Sequence, residues 1–142
     1  MDDERLIREV YGRLLEGVGY RVTKAAGARE AYEAARHGVD VILLDIMMPE
    51  VLGLEALGRL REIAPEVPIL IVTAYQTIQN ALAALRGGAF DFIVKGLKND
   101  VLLNSVARAA ERHRLVRENR RLMEELRGRL DAALTSRTPP PA

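Results

Sequence analysis

The sequence predicts an α/β domain built on a doubly wound parallel sheet, with an extended helix at its C-terminal end. Three observations carry this. Runs that are apolar throughout occur at 41–44, 69–72 and 92–94, as expected of strands buried on both faces rather than of strands with one wet side. Stretches of helical periodicity separate them, and crossovers of that length force parallel strands and right-handed connections. Each run then ends in a polar residue, Asp45, Thr73 and Lys95 in turn.

In chain order, Leu6, Ile7, Val10, Tyr11, Leu14, Leu15 and Val18 fall at helical spacing, with Asp2 or Asp3 placed to cap the helix and residues 17–19 to end it. Residues 20–25 alternate apolar and polar, which predicts a half-buried strand. A short helix over 28–36 stops at Gly38, and the apolar strand around 41–44 delivers Asp45 to a loop closed by Pro49. Leu54, Leu57, Leu60 and Ile63 mark another helix, closed by Pro65, and Pro68 launches the strand that ends at Thr73. A helix over 78–85 ends at Gly87 and Gly88, and the strand over 90–95 ends at Lys95. A long helix begins near Asn99 and changes composition after Glu111. The expected division is therefore 1–111 for the domain, 112–134 for a helical extension and 135–142 for a disordered, proline-rich tail.

Composition excludes several classes of chemistry. Twenty-one basic residues against 20 acidic ones leave almost no net charge, so no overall field draws nucleic acid or membrane. Zero cysteines remove disulfides, thiolate metal sites and cysteine nucleophiles, and only two histidines, His37 and His113, are present. Both are expected to be solvated surface residues. No apolar run approaches the ~18 residues of a membrane span, and the acidic start is the wrong sign for a signal peptide, so a cytoplasmic location is expected.

Parallel-sheet enzymes and switches place their chemistry in the crevice at the C-terminal strand ends. There Asp45, Thr73 and Lys95 are expected to meet Asp2 and Asp3 from the start of the first helix. Asp3 and Asp45, with one backbone carbonyl and several waters, suit Mg²⁺, which prefers oxygen ligands and keeps part of its hydration shell. A carboxylate can attack phosphorus to form an acyl phosphate, which makes Asp45 the natural acceptor. Lys95 would neutralise phosphoryl charge and Thr73 would hydrogen-bond a phosphoryl oxygen.

The acidic pair Asp2 and Asp3, the segment Leu43-Leu-Asp-Ile-Met-Met-Pro49, Ile71-Val-Thr-Ala74 and Phe92-Ile-Val-Lys95 together resemble the receiver domains of bacterial two-component response regulators, from about Asp2 to Arg112. That resemblance implies a flavodoxin-like sheet of order 2-1-3-4-5 and phosphoryl transfer from a histidine kinase, or a phosphotransfer protein, to Asp45. It implies Mg²⁺ bound by Asp3, Asp45 and the carbonyl of Met47 with support from Asp2. It also implies a switch pair, Thr73 and Phe92, that remodels a protein-binding face. Two departures from the family stand out. The hydrophobic strand that usually precedes the acidic pair is missing, because Met1 directly precedes Asp2, so the expectation is a receiver truncated at its start. Gly96 follows Lys95 where the family usually has proline.

The extended last helix resembles the linker that follows receivers in enhancer-binding AAA+ transcription activators. Leu115 and Leu122 at d, with Asn119 and Leu126 at a, form a short heptad seam that would support a homodimer. Arg108, Arg112, Arg114, Arg117, Arg120 and Arg121 are interleaved with Glu111, Glu118, Glu124 and Glu125, which reads as a solvated helix and not as a nucleic-acid surface. The expected protein is a phosphoacceptor switch with only self-directed chemistry, not an enzyme acting on other substrates. The alternative is a degenerate receiver that serves as a dimerising scaffold. An aspartyl phosphohydrolase fits less well, since Met47 stands where that class usually has a second acid.

Overall fold

In the computed structural model, residues 3–45, 50–73, 78–94 and 98–136 are described. Helix α1 (Asp3–Gly17) and helix α2 (Ala28–Arg36) precede strand β1 (Ile42–Asp45). Helix α3 (Glu50–Ile63), strand β2 (Ile69–Thr73), helix α4 (Ile78–Arg86), strand β3 (Asp91–Val94) and helix α5 (Asn99–Ser136) follow. The strands form one parallel sheet in the order β1-β2-β3.

Alternation along β2 explains the layering, because successive side chains of a strand point to opposite faces. Leu70 and Val72 join Leu15 of α1 and Leu102, Val106 and Ala109 of α5 in one buried cluster. Ile69 and Ile71 join Ala35, Leu57, Leu60 and Ala84 from α2, α3 and α4 in another. Helices therefore cover both faces, which is the doubly wound arrangement. All five residues of β2 are buried, whereas the four of β1 are only partly so. The 41–44 strand is packed on both faces as expected, Val41 and Leu43 toward one cluster and Ile42 and Leu44 toward the other, but only partly buried; β2 is the strand at the centre of the described sheet, and β1 pairs with β2 alone among the described residues.

Residues 20–25 are not a strand, contrary to the alternation reading. The side-chain pattern itself is present, since Tyr20 and Val22 pack against the cluster shared by α1 and α5 while Arg21 and Thr23 are exposed. Alternation dictates which way side chains point, but a strand also needs a hydrogen-bonded neighbour, and no ladder joins this segment to β1 among the described residues. Its packing is against α1 instead. Lys24 pairs with Glu9 at 3.5 Å, and its aliphatic chain lies so close to Gly12 that an added Cβ would meet it at 2.7 Å.

Two helix ends explain how the chain turns back toward the sheet. At the end of α1, the amide of Tyr20 donates to the carbonyl of Leu15 and that of Gly19 to Glu16, with Gly19 at φ +102°. After α4 the same pattern recurs, Ala89 to Ala84 and Gly88 to Leu85, with Gly88 at φ +100°. Both are Schellman closures, in which glycine enters the left-handed region at little steric cost.

Helix α5 runs unbroken through the expected boundary at Glu111 and past Thr135 to Ser136, while 137–142 of the expected tail lie outside the described residues. It is also anchored to β3. The carboxylate of Asp91 accepts from Ser105 Oγ at 3.0 Å and from Arg108 at 2.9 Å, and the Arg112 guanidinium lies 5.4 Å from the centre of the Phe90 ring. Arg108 and Arg112 nonetheless remain exposed, as expected of a solvated helix face.

His37 is exposed, as expected, but His113 is not: its side chain is 8% exposed. Nδ1 lies 3.3 Å from the carbonyl oxygen of Glu66 and Nε2 3.3 Å from Asp40 Oδ1. Polar identity misled the sequence reading, because α5 carries its inward face one turn further than its apolar residues do. Burial pushes the His113 pKa below its ordinary 6.5, opposed by the negative charge of Asp40 and aided to a lesser extent by Arg117. Such a group contributes its full stability above the unfolded value and loses it as pH falls through the lower folded value. Folding stability should therefore be flat above about pH 6.5 and decline below it in urea titrations, and His113→Gln should flatten that decline.

Candidate functional site

Parallel pairing brings the two strand ends together. Asp45 is in register with Val72 of β2, so Thr73 lies one residue further along the neighbouring strand, roughly 4.8 Å away across the ladder direction. Thr73 in turn is in register with Val94, the last residue of β3. Asp45 and Thr73 thus close two adjacent strands at the same sheet edge, where the sequence reading placed them. The next residue after β3 is Lys95, which lies outside the described residues, as do Asp2 and Met47. Asp3 opens α1.

One carboxylate oxygen of Asp45, Oδ1, is shielded from solvent, and Thr73 is buried. The phenol of Tyr11 on α1 has its pKa raised, first by burial and second by the negative charge of Asp45. Asp45 therefore projects its field toward α1, a neighbour that sequence reasoning missed because Tyr11 reads as one more apolar position on that helix. Phe92 is partly buried against the cluster of α2, α3 and α4, and its register partner is Ile71. Since Ile71 and Thr73 share a face of β2, Phe92 and Thr73 lie on the same side of the sheet on adjacent strands.

The donors described at this edge are a carboxylate and a hydroxyl, all oxygen. That set suits a hard divalent cation. Among the described residues no three His, Cys, Asp or Glu side chains gather around one point. No described helix is long and apolar enough to cross a membrane.

An acid at the end of a parallel strand, with a hydroxyl on the next, is an arrangement that comparison with known proteins makes specific. Residues 1–107 match the family described as response regulator receiver domain. The C4-dicarboxylate transport transcriptional regulatory protein DctD of Pseudomonas aeruginosa is 36% identical over 137 residues, spanning 92% of this chain and 30% of its own. NtrX from Brucella abortus, solved in complex with ADP, gives a TM-score of 0.75 at 33% identity over 85% of this chain and 27% of its own. A response regulator protein from Burkholderia pseudomallei, solved with a phosphorylated aspartic acid, a calcium ion and citrate, gives 0.67 at 25% identity over 86% and 71%. This chain belongs to the response regulator receiver family of two-component signalling. Within that family it groups with the receivers of enhancer-binding AAA+ transcription activators such as DctD and NtrX, of which it spans less than a third of the length.

Proposed function

We propose that the protein is a phosphoacceptor switch that takes a phosphoryl group onto Asp45 from a histidine kinase or phosphotransfer protein. The observation that supports this most is the placement of Asp45 and Thr73 at adjoining C-terminal strand ends. A carboxylate oxygen of Asp45 attacks phosphorus, the bond from phosphorus to the donor's nitrogen or oxygen breaks, and the donor leaves with that electron pair. Thr73 donates its hydroxyl to a phosphoryl oxygen and Lys95 adds positive charge. Asp3, Asp45 and the carbonyl of Met47, supported by Asp2, would hold Mg²⁺, which when bound offsets the charge of the phosphoryl oxygens. Movement of Thr73 toward the phosphoryl group would vacate space beside Phe92, whose ring could then shift and alter the surface around α4 and β3. The Burkholderia pseudomallei relative, solved with a phosphorylated aspartic acid and a calcium ion, favours this chemistry over the scaffold alternative.

The test is labelling with a small-molecule phosphodonor and Mg²⁺. An acid-labile phosphate mapped to Asp45 is expected. Folded protein that remains unlabelled would favour the scaffold reading.

The partner surface we assign to α5 is a homodimer seam. Leu115, Leu122 and Leu126 are about half exposed or more, and Met123, Leu130 and Leu134 extend the apolar stripe beyond the short heptad run. Residues 112–134 then act as a connector between the receiver, 1–111, and an output that regulates transcription in the cytoplasm. Replacing Leu122 and Leu126 with glutamate should shift the sedimentation profile to monomer while leaving Asp45 labelling intact. A profile unchanged by the substitutions would remove the seam as the dimer contact.

A further inference from the structure

Helix α5 keeps its inward face longer than its apolar residues last. Leu102, Val106 and Ala109 are buried against the sheet, and the same stripe, continued in steps of three or four residues, runs through His113, Arg117 and Arg120. Each of these three meets the body. His113 is buried between the Glu66 carbonyl and Asp40, Arg117 reaches Asp40 at 3.3 Å, and Arg120 pairs with the Glu66 carboxylate. Asp40 stands just before β1 and Glu66 just before β2, so both anchors lie at the N-terminal edge of the sheet, opposite Asp45 and Thr73.

We propose that His113, Arg117 and Arg120 form a clasp that docks α5 onto the loops preceding β1 and β2 and thereby fixes the direction in which its apolar seam faces. At about 100° per residue, Leu115, Leu122 and Leu126 fall on the side of the helix away from the clasp stripe. The clasp therefore leaves the seam uncovered while holding its azimuth relative to the sheet. It carries docking from Ala109 on to Arg120, roughly 16 Å further along the axis at ~1.5 Å per residue. Without it, the outer part of α5 would depend on intrinsic helicity, which is marginal in water for short unpacked segments.

Exposed ion pairs taken singly contribute little, and Arg117 and Asp40 are both well exposed. Here three side chains share two anchors around a buried ring, so their ordering cost is shared. The same contacts explain why the stripe turns polar at 113: past the sheet edge the helix faces a carbonyl and two carboxylates instead of side chains of β2. Arg117 and Arg120 are thereby committed to carboxylates, which weighs further against a nucleic-acid role for this face. The clasp stands on these contacts alone and does not require Asp45 to accept phosphate.

Hydrogen exchange on the whole chain tests it. Arg and Glu have similar helix propensity, so Arg117→Glu with Arg120→Glu removes the clasp without weakening the helix intrinsically. Exchange of the amides in 112–124 should accelerate roughly tenfold, as expected of local opening, while those in 69–73 and 102–109 keep their wild-type rates. Adding Asp40→Arg and Glu66→Arg, which exchanges the charges and leaves the neutral His113 ring able to accept from Arg, should restore slow exchange. Unchanged rates in the double variant, an equal acceleration across the whole chain, or failure of the swapped variant to recover would each overturn the clasp.

Discussion

Asp45→Asn is expected to reduce phosphate uptake from a small-molecule phosphodonor in Mg²⁺ to background, with the far-ultraviolet circular dichroism unchanged. The amide has the shape of the carboxylate but lacks the nucleophilic oxygen anion, and it weakens oxygen ligation of a hard cation at the same stroke. Asp40→Asn and Asp91→Asn should label normally, because those carboxylates serve ion pairs with α5 rather than the strand-end edge. Thr73→Ala should slow labelling without abolishing it, since a hydroxyl donor assists a step that the carboxylate performs. Retained labelling of the Asn variant at any residue would mean that the acceptor is elsewhere.

Ile71→Ala should cost about 2–5 kcal/mol, read as a lowered urea midpoint with an unchanged slope. Ile71 is fully buried at the middle of β2 and packs with Leu57, Leu60 and Ala84, so the deleted atoms leave a cavity between rigid neighbours. Against a typical total stability of about 5–15 kcal/mol, the loss is large enough to populate unfolded protein. Ile71 is also the register partner of Phe92, so a cavity there would loosen the ring that the switching proposal needs to hold in place. A loss under about 1 kcal/mol, within the range of an ordinary surface change, would show that this layer is less tightly packed than its burial indicates.

Residue pattern made some of this molecule readable and hid the rest for physical reasons. The runs at 41–44, 69–72 and 92–94 announced the parallel sheet, and Asp45 and Thr73 could be placed at one edge, because in a parallel sheet all strand ends of one sense share an edge. The segment 20–25 misled, since alternation records burial and says nothing about a pairing partner. Which strand is central was also hidden: the apolar runs of β1 and β2 look alike, and only pairing distinguishes Ile71, fully buried, from the partly buried Leu43. His113 was misjudged because a titratable side chain inside a helix reads as surface until the loops beneath it are known. Tyr11 was invisible as a neighbour of Asp45 because the two are far apart in sequence and only packing brings the field of one to the other.

A last consequence follows from the two clusters that meet at β2. Leu70 and Val72 form part of one, Ile69 and Ile71 of the other, so four consecutive residues serve as a party wall between the two helical layers. Loosening either side removes support from the same backbone, and the layers should come apart together in one cooperative transition. Thr73 is the end of that wall. Its side chain lies on the face of Ile71, toward α2, α3 and α4, so an event at that hydroxyl reaches the other layer only through the backbone it shares with Leu70 and Val72.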